Sequence, residues 1–245
     1  MKTDRPRRTG QGLKLTLAAL LTALALQPAA AAVAVVSNLE QGGETPFVIG
    51  SPLATQFTVG PLPSDGPADH NIWALDKITG RFDGVTGNPS GFEARILNDD
   101  SGSPGPLDSP LATLTGPDPR GSQDYDFMPP AGTTISLEPE TSYWLAYTSA
   151  GLPSDSAYYR MRTTQRLTED AGALSGWSIG NDVWRINNAG VWETFRVGRT
   201  SFPMKFGVEA TPVPEPSEYA LFIALGLGAF ALWHRRRQQE QRAAA

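Results

Sequence analysis

Between residues 33 and 209, no run longer than a few residues repeats its apolar positions at the helical period. Short runs rich in Val, Ile, Thr, Tyr, Phe and Trp recur instead, separated by clusters of Gly, Pro, Asn and Asp. Such a stretch buries alternate residues of strands. The predicted strands are 33–37, 54–59, 71–82, 91–97, 110–115, 124–128, 133–137, 142–148, 157–164, 182–187, 191–197 and 202–209. Asn98-Asp99-Asp100-Ser101-Gly102, Pro117-Asp118-Pro119 and Asn188-Ala189-Gly190 are predicted turns. Phe202, Met204, Phe206 and Val208 share one face of the last strand, opposite Pro203, Lys205 and Gly207. Ser142-Tyr143-Trp144-Leu145-Ala146-Tyr147-Thr148 is apolar on both faces and reads as a central strand covered on both sides. The expected fold is all-β, an antiparallel two-sheet sandwich of jelly-roll-like type.

This segment is one domain's worth of chain, enough to bury roughly 70% of its unfolded surface. It holds 11 of the 20 Lys and Arg and 21 of the 25 Asp and Glu, a net charge near −10. That charge argues against nucleic acid or anionic lipid as a partner. There is no cysteine, so stability rests on the core and thiol chemistry is absent.

Catalytic sets are hard to assemble. His70 is the segment's one histidine, which excludes two-histidine metal sites and, with no cysteine, Cys–His catalysis. A Ser-His-Asp set would have to use His70, and there is no G-x-S-x-G elbow to supply the serine. A glycan hydrolase, the remote alternative, needs two carboxylates about 5–10 Å apart across a cleft. Asp99/Asp100, Glu138/Glu140 and Glu169/Asp170 are near one another in sequence, but most fall in predicted turns. The reading is therefore not an enzyme.

Two groups invite a binding role. Trp177, Trp184 and Trp192 fall close together, with Arg185, Asn187, Asn188 and Phe195 among them. Exposed, they would stack sugar rings while amides and acids bond the hydroxyls; buried, they fill the core, as Val183 and Ile186 between the polar positions suggest. Asp99 and Asp100 could offer oxygens to Ca²⁺. Their segment lacks the spaced acidic ladder and the later bidentate Glu, so a plain turn, with no cofactor, is the expectation.

The two ends read differently from the body. Residues 1–14 carry Lys2, Arg5, Arg7, Arg8 and Lys14 against Asp4. An apolar run over 15–26 follows, then small residues up to Ala32. That is a secretory signal peptide over 1–32. Arg7-Arg8 is followed by Thr9-Gly10-Gln11, without a hydrophobic pair, which favours general secretion over the twin-arginine route. At the other end, Pro212, Pro214 and Pro216 exclude helix over 210–216, leaving an extended linker with Glu215 in it. Residues 219–233 then carry no charge. A helix over 217–234 would be about 26 Å long to Trp233, slightly short of a ~30 Å hydrocarbon core, with Tyr219 and Trp233 at its ends. Arg235, Arg236 and Arg237 open a basic tail over 235–245 that belongs on the cytoplasmic side, which places the body outside.

This end closely resembles the PEP-CTERM sorting signal of Gram-negative bacteria. The likeness lies in Val213-Pro214-Glu215-Pro216-Ser217, in the apolar run with Gly226-Leu227-Gly228, and in Arg235-Arg236-Arg237. It covers about the last tenth of the chain. The resemblance implies an exosortase, a multi-spanning membrane enzyme, as a partner that recognises Pro214, Glu215 and Pro216. It also implies an inner-membrane intermediate and a producer that secretes exopolysaccharide. More loosely, Gln56-Phe57-Thr58-Val59-Gly60, the segment from Arg95 to Gly105, and Ser142-Tyr143-Trp144-Leu145-Ala146 resemble choice-of-anchor β domains, a family without an established activity. Two readings follow: a surface or matrix protein sorted through its tail, or a carbohydrate-binding module gripping exopolysaccharide through the tryptophans.

Overall fold

The computed structural model describes residues 31–43, 45–62, 70–149, 157–196, 202–214 and 216–243. Fourteen strands and one helix are formed among them. They are β1 (Val33–Ser37), β2 (Thr45–Ile49), β3 (Leu53–Thr58), β4 (His70–Thr86), β5 (Glu93–Asp100), β6 (Ser103–Pro104) and β7 (Ala112–Leu114). β8 (Asp124–Phe127), β9 (Ile135–Leu137), β10 (Ser142–Thr148), β11 (Tyr158–Thr163), β12 (Ser178–Ile186), β13 (Trp192–Phe195), β14 (Phe206–Pro214) and α1 (Pro216–Ala243) complete the chain.

All pairings are antiparallel and form two sheets. The first runs β1-β14-β4-β11-β2, with β8 and β9 also on β4. The second runs β13-β12-β3-β10-β5-β6, with β7 on β5. The predicted all-β, two-sheet antiparallel architecture is therefore what the chain forms.

β4 shows why. A bulge at Asp76 shifts its phase, so that Trp73 and Leu75 are buried before it and Ile78 and Phe82 after it, whereas Lys77, Thr79, Arg81 and Asp83 bond across the opposite face. Lys77 pairs with Asp126 (3.3 Å) and Glu209 (3.0 Å), Arg81 with Asp124 (2.7 Å), and Asp83 with Arg162 (3.0 Å) and Arg160 (3.4 Å). Thr79 Oγ1 donates to Asp126 (2.6 Å). Period-two alternation thus yields one solvated ionic face and one apolar face.

The apolar faces of both sheets meet in one core. Phe82 lies against Tyr147 of β10 (5.3 Å), Phe92 (5.3 Å), Tyr125 (5.7 Å) and Phe127 (6.1 Å). Phe57 of β3 meets Phe206 of β14 edge-on at 6.3 Å. β10 runs between β3 and β5 and is buried on both faces from Tyr143 onward, as its sequence predicts. Its outward Trp144 joins Ala54, Leu97 and Ala146 in a second small cluster, covered by Leu107, Trp184 and Trp192.

Five expectations are corrected. Lys205, placed opposite the core by alternation, is 1% exposed; its Nζ reaches the Gln41 carbonyl at 2.8 Å. Burial, and after it the neighbouring Arg81, lower its pKa. β2 is a strand although Pro46 interrupts its pattern, because it is the edge of its sheet, where a missing N–H is tolerated. Asp99 and Asp100 lie in β5, and the turn shrinks to Ser101-Gly102 with φ of 55° and 86°. That is the hairpin type matching strand twist. The linker expected over 210–216 is sheet as far as Pro214, paired with β4. Finally, the apolar run over 217–234 continues without a break through Arg235, Arg236 and Arg237 to Ala243. Among the described residues no helix is long and apolar enough to cross a membrane. The signal peptide expected over 1–32 lies, up to residue 30, outside the described residues.

Buried polar groups tie the loops to this frame. Asn38, 2% exposed, donates to the Met204 carbonyl (2.9 Å) and accepts from Phe206 N–H (2.8 Å), extending β1 beyond its end. Asp170 accepts from Ser37 Oγ (2.6 Å), Glu40 N–H (3.1 Å) and Gln41 Nε2 (2.9 Å). Burial opposes the charge of Asp170, but these bonds outweigh it and hold the carboxyl below the usual range.

Two outcomes are expected. A Cβ on Gly80 would collide with Tyr147 Oη, a buried hydroxyl without a hydrogen-bond partner among the described residues. Gly80→Ala should cost about 1–3 kcal/mol in urea unfolding. Tyr147→Phe alone should be neutral or stabilising, and should recover most of that loss in the double variant. Because folding lowers the Asp170 pKa from ~3.9, its contribution is complete above that value and fades as pH falls through the folded one. Asp170→Asn should make the loss of stability below about pH 4 shallower, read from urea midpoints across pH.

Candidate binding cleft

The expected tryptophan site does not come together. Trp177 is 4% exposed, inside the main core, edge-on to Trp73 at 5.4 Å and over Gly60. Trp184 and Trp192 lie on the far side of the second sheet. Trp184 meets Trp144 at 5.6 Å, and Trp192 Nε1 donates to the Gly105 carbonyl at 3.1 Å. The pleat decides this, since Trp184 and Val183 are consecutive and must face opposite ways.

The residues between those tryptophans do converge. β2 and β13 are the edge strands of the two sheets, and their inward-facing positions end in a cleft of about 1050 Å³. Phe47 stands opposite buried Met161 in register, and Phe195 opposite buried Val183, so both rings point between the sheets. They meet edge-to-face at 4.9 Å, half-buried. Two residues along β13 the same face has left the core, and there Glu193 stands directly opposite Arg185. A cross-strand ion pair forms, with Arg185 Nε and Nη2 at 2.9 and 2.8 Å from Glu193 Oε1. The guanidinium also lies over the Phe195 ring, 4.6 Å from its centre.

Asn187 completes the wall. Its Nδ2 donates to Glu193 Oε2 (3.3 Å), while its carbonyl accepts from the N–H groups of Ala189 (2.9 Å) and Val191 (3.1 Å). The side chain thereby shapes the loop that carries exposed Asn188 along the rim. Hydrogen bonds from Arg185, then from Asn187, hold the Glu193 carboxyl below the usual range. Chemically the cleft offers two aromatic surfaces, amides and an internally neutralised charge pair. It suits a polar ligand with an apolar face and presents no nucleophile beside a base.

The other candidates are spent on structure. Asp99 lines a smaller hollow of about 420 Å³ with Glu138, Ser142 and Tyr143. Its oxygens already accept from Trp144 Nε1 (2.7 Å), Gln56 Nε2 (3.0 Å) and Gly102 N–H (2.9 Å). Asp100 is exposed on the hairpin, and its carbonyl accepts from Ser103 Oγ (2.7 Å). Among the described residues no group of three or more His, Cys, Asp or Glu could hold a metal ion. Glu169 Oε1 accepts from Ile179 N–H at 3.1 Å. His70 opens β4 opposite Pro214. Pro214 closes β14, Pro216 opens α1, and Glu215 lies outside the described residues.

Sequence reasoning named Arg185, Asn187, Asn188 and Phe195 but missed Phe47 and Glu193. The signal for Phe47 was Pro46, which marks an edge strand. Glu193 alternates with Phe195 and so had to share its face.

No protein-family model matches the chain, and no characterised protein matches it in sequence. Among solved structures, the chain is similar to the cysteine protease and lectin-like domains of Cwp84, a surface layer associated protein of Clostridium difficile. Identity is 13% and the TM-score 0.42; the match covers 73% of this chain and 36% of that one.

Truncation should separate the core tryptophan from the rim. Trp177→Ala should cost about 3–5 kcal/mol in chemical unfolding, as removal of a buried Trp does. Asn188→Ala, on the exposed rim, should stay within about 0.5 kcal/mol of the parent.

Proposed function

We propose that this is an exported protein of the cell surface or extracellular matrix, sorted through its C-terminal tail and without catalytic activity of its own. The observation that carries the reading is the order of parts at that tail. The sheet ends at Pro214, the helix begins at Pro216, and the arginines at 235–237 follow an uncharged run. In this reading the C-terminal tail holds the protein at the inner membrane, with the body in the periplasm, until it is processed. An exosortase-type enzyme then acts at Pro214-Glu215-Pro216 and the body passes to the surface, where exopolysaccharide is its surroundings.

The body's chemistry supports the non-catalytic part. Its acidic charge suits a soluble exported domain, and the cleft between β2 and β13 holds one carboxylate, already bonded to Arg185. A jelly-roll-like routing of the two sheets belongs to the same reading. The second reading, a carbohydrate-binding module, is favoured by the cleft between β2 and β13; the tryptophans lie elsewhere.

Replacing Pro214-Glu215-Pro216 by three alanines in the native producer should leave full-length protein in the membrane fraction and sharply reduce release. Deleting the exosortase-type enzyme should give the same distribution. Release of the triple-alanine variant at the parental level would contradict the proposal.

A further inference from the structure

We infer that the mouth between β2 and β13 is a binding site for a segment of uncharged sugar chain, with Phe47 and Phe195 as its stacking surfaces. Its volume, about 1050 Å³, lies at the top of the range for small-ligand sites, which fits several linked rings better than one. The aromatic rings present apolar area suited to the C–H faces of a pyranose. Asn188, Ser51 and the Arg185–Glu193 pair around them offer amide, hydroxyl, N–H and carboxylate groups for its hydroxyls.

The charge pair sets the class. Arg185 is stacked on Phe195 and bonded to Glu193, so it has no uncompensated charge to give a uronate, sulfate or phosphate. An anionic ligand would have to displace Glu193, which Asn187 also holds. The body's charge near −10 repels polyanions as well. A purely apolar ligand would strip water from the ion pair and the amides without replacing their bonds. A peptide added as a strand to β2 would meet Pro46, which has no N–H to give.

The biological ligand rests on the reading that the body stands outside the cell. Binding in solution does not, so the two fail separately. The test is calorimetric titration of the purified full chain with cellohexaose and maltohexaose as neutral probes and hexagalacturonate as the acidic one. At least one neutral probe should bind with Kd of about 1 mM or tighter, and the acidic probe at least about tenfold more weakly. Phe195→Ala should weaken the neutral probe about tenfold or more. Asn188→Ala, which leaves the fold intact, should weaken it about threefold. Glu193→Gln should free the guanidinium and raise affinity for hexagalacturonate about tenfold. Three results would each overturn the inference: no heat from either neutral probe, tighter binding of the acidic probe by the parent chain, or unchanged neutral binding in both Phe195→Ala and Asn188→Ala.

Discussion

The structure depends on the packing of β4 against β10 through Phe82 and Tyr147. β4 belongs to one sheet and β10 is internal to the other, so their contact joins the two sheets. That contact requires Gly80, because any Cβ there would occupy the place of the Tyr147 hydroxyl. The consequence is a core thick with rings: Phe92 alone lies within 6 Å of Phe82, Phe127, Tyr147 and Tyr159. Without disulfides, this aromatic burial and the loop ties of Asn38 and Asp170 are what the fold has to set against chain entropy. Hydroxyl and indole groups without partners among the described residues, on Tyr147, Trp73 and Trp177, show that ring packing took precedence over hydrogen bonding.

Packing the two sheets around β4 also determines where they stay apart. At the β2–β13 edge no strand among the described residues joins the two sheets, and inward-facing positions run from core into solvent. Phe47 and Phe195 stop the core there, and Arg185 and Glu193 stand just beyond it. The opposite side of β4 is different in kind, a row of ion pairs from Lys77 to Asp83. Surface pairs of this sort contribute little each, but they keep that face hydrated and unsuited to apolar partners.

Much of the fold was legible because it followed local pattern. β10 was readable to the residue, since its run is apolar on both faces and sits between turns. Failures arose where tertiary context outweighed that pattern. Lys205 is buried because carbonyl and carboxylate partners from loops distant in sequence surround its ammonium. Pro46 hid β2, and Pro212 and Pro214 hid the end of β14; in each case the chain paired on one edge where a missing N–H was harmless. The candidate site was half legible. Trp177, Trp184 and Trp192 are neighbours in sequence, but alternation sends Trp184 and Val183 to opposite faces, and Trp177 falls under Gly60. Which intervening residues met Phe47 depended on two edge strands far apart in the chain.

A two-sheet body clamped at β4, β10 and β14 should be most protected at those strands and least protected at its β2–β13 edge. Residue-resolved amide hydrogen exchange on the full chain tests it most directly. Inward amides of β4, β10 and β14 should be the slowest and should exchange together, through global opening. Those of β2 and β13 should exchange orders of magnitude faster. Exchange of β10 as rapid as that of β13, or protection concentrated at the β2–β13 edge, would contradict it.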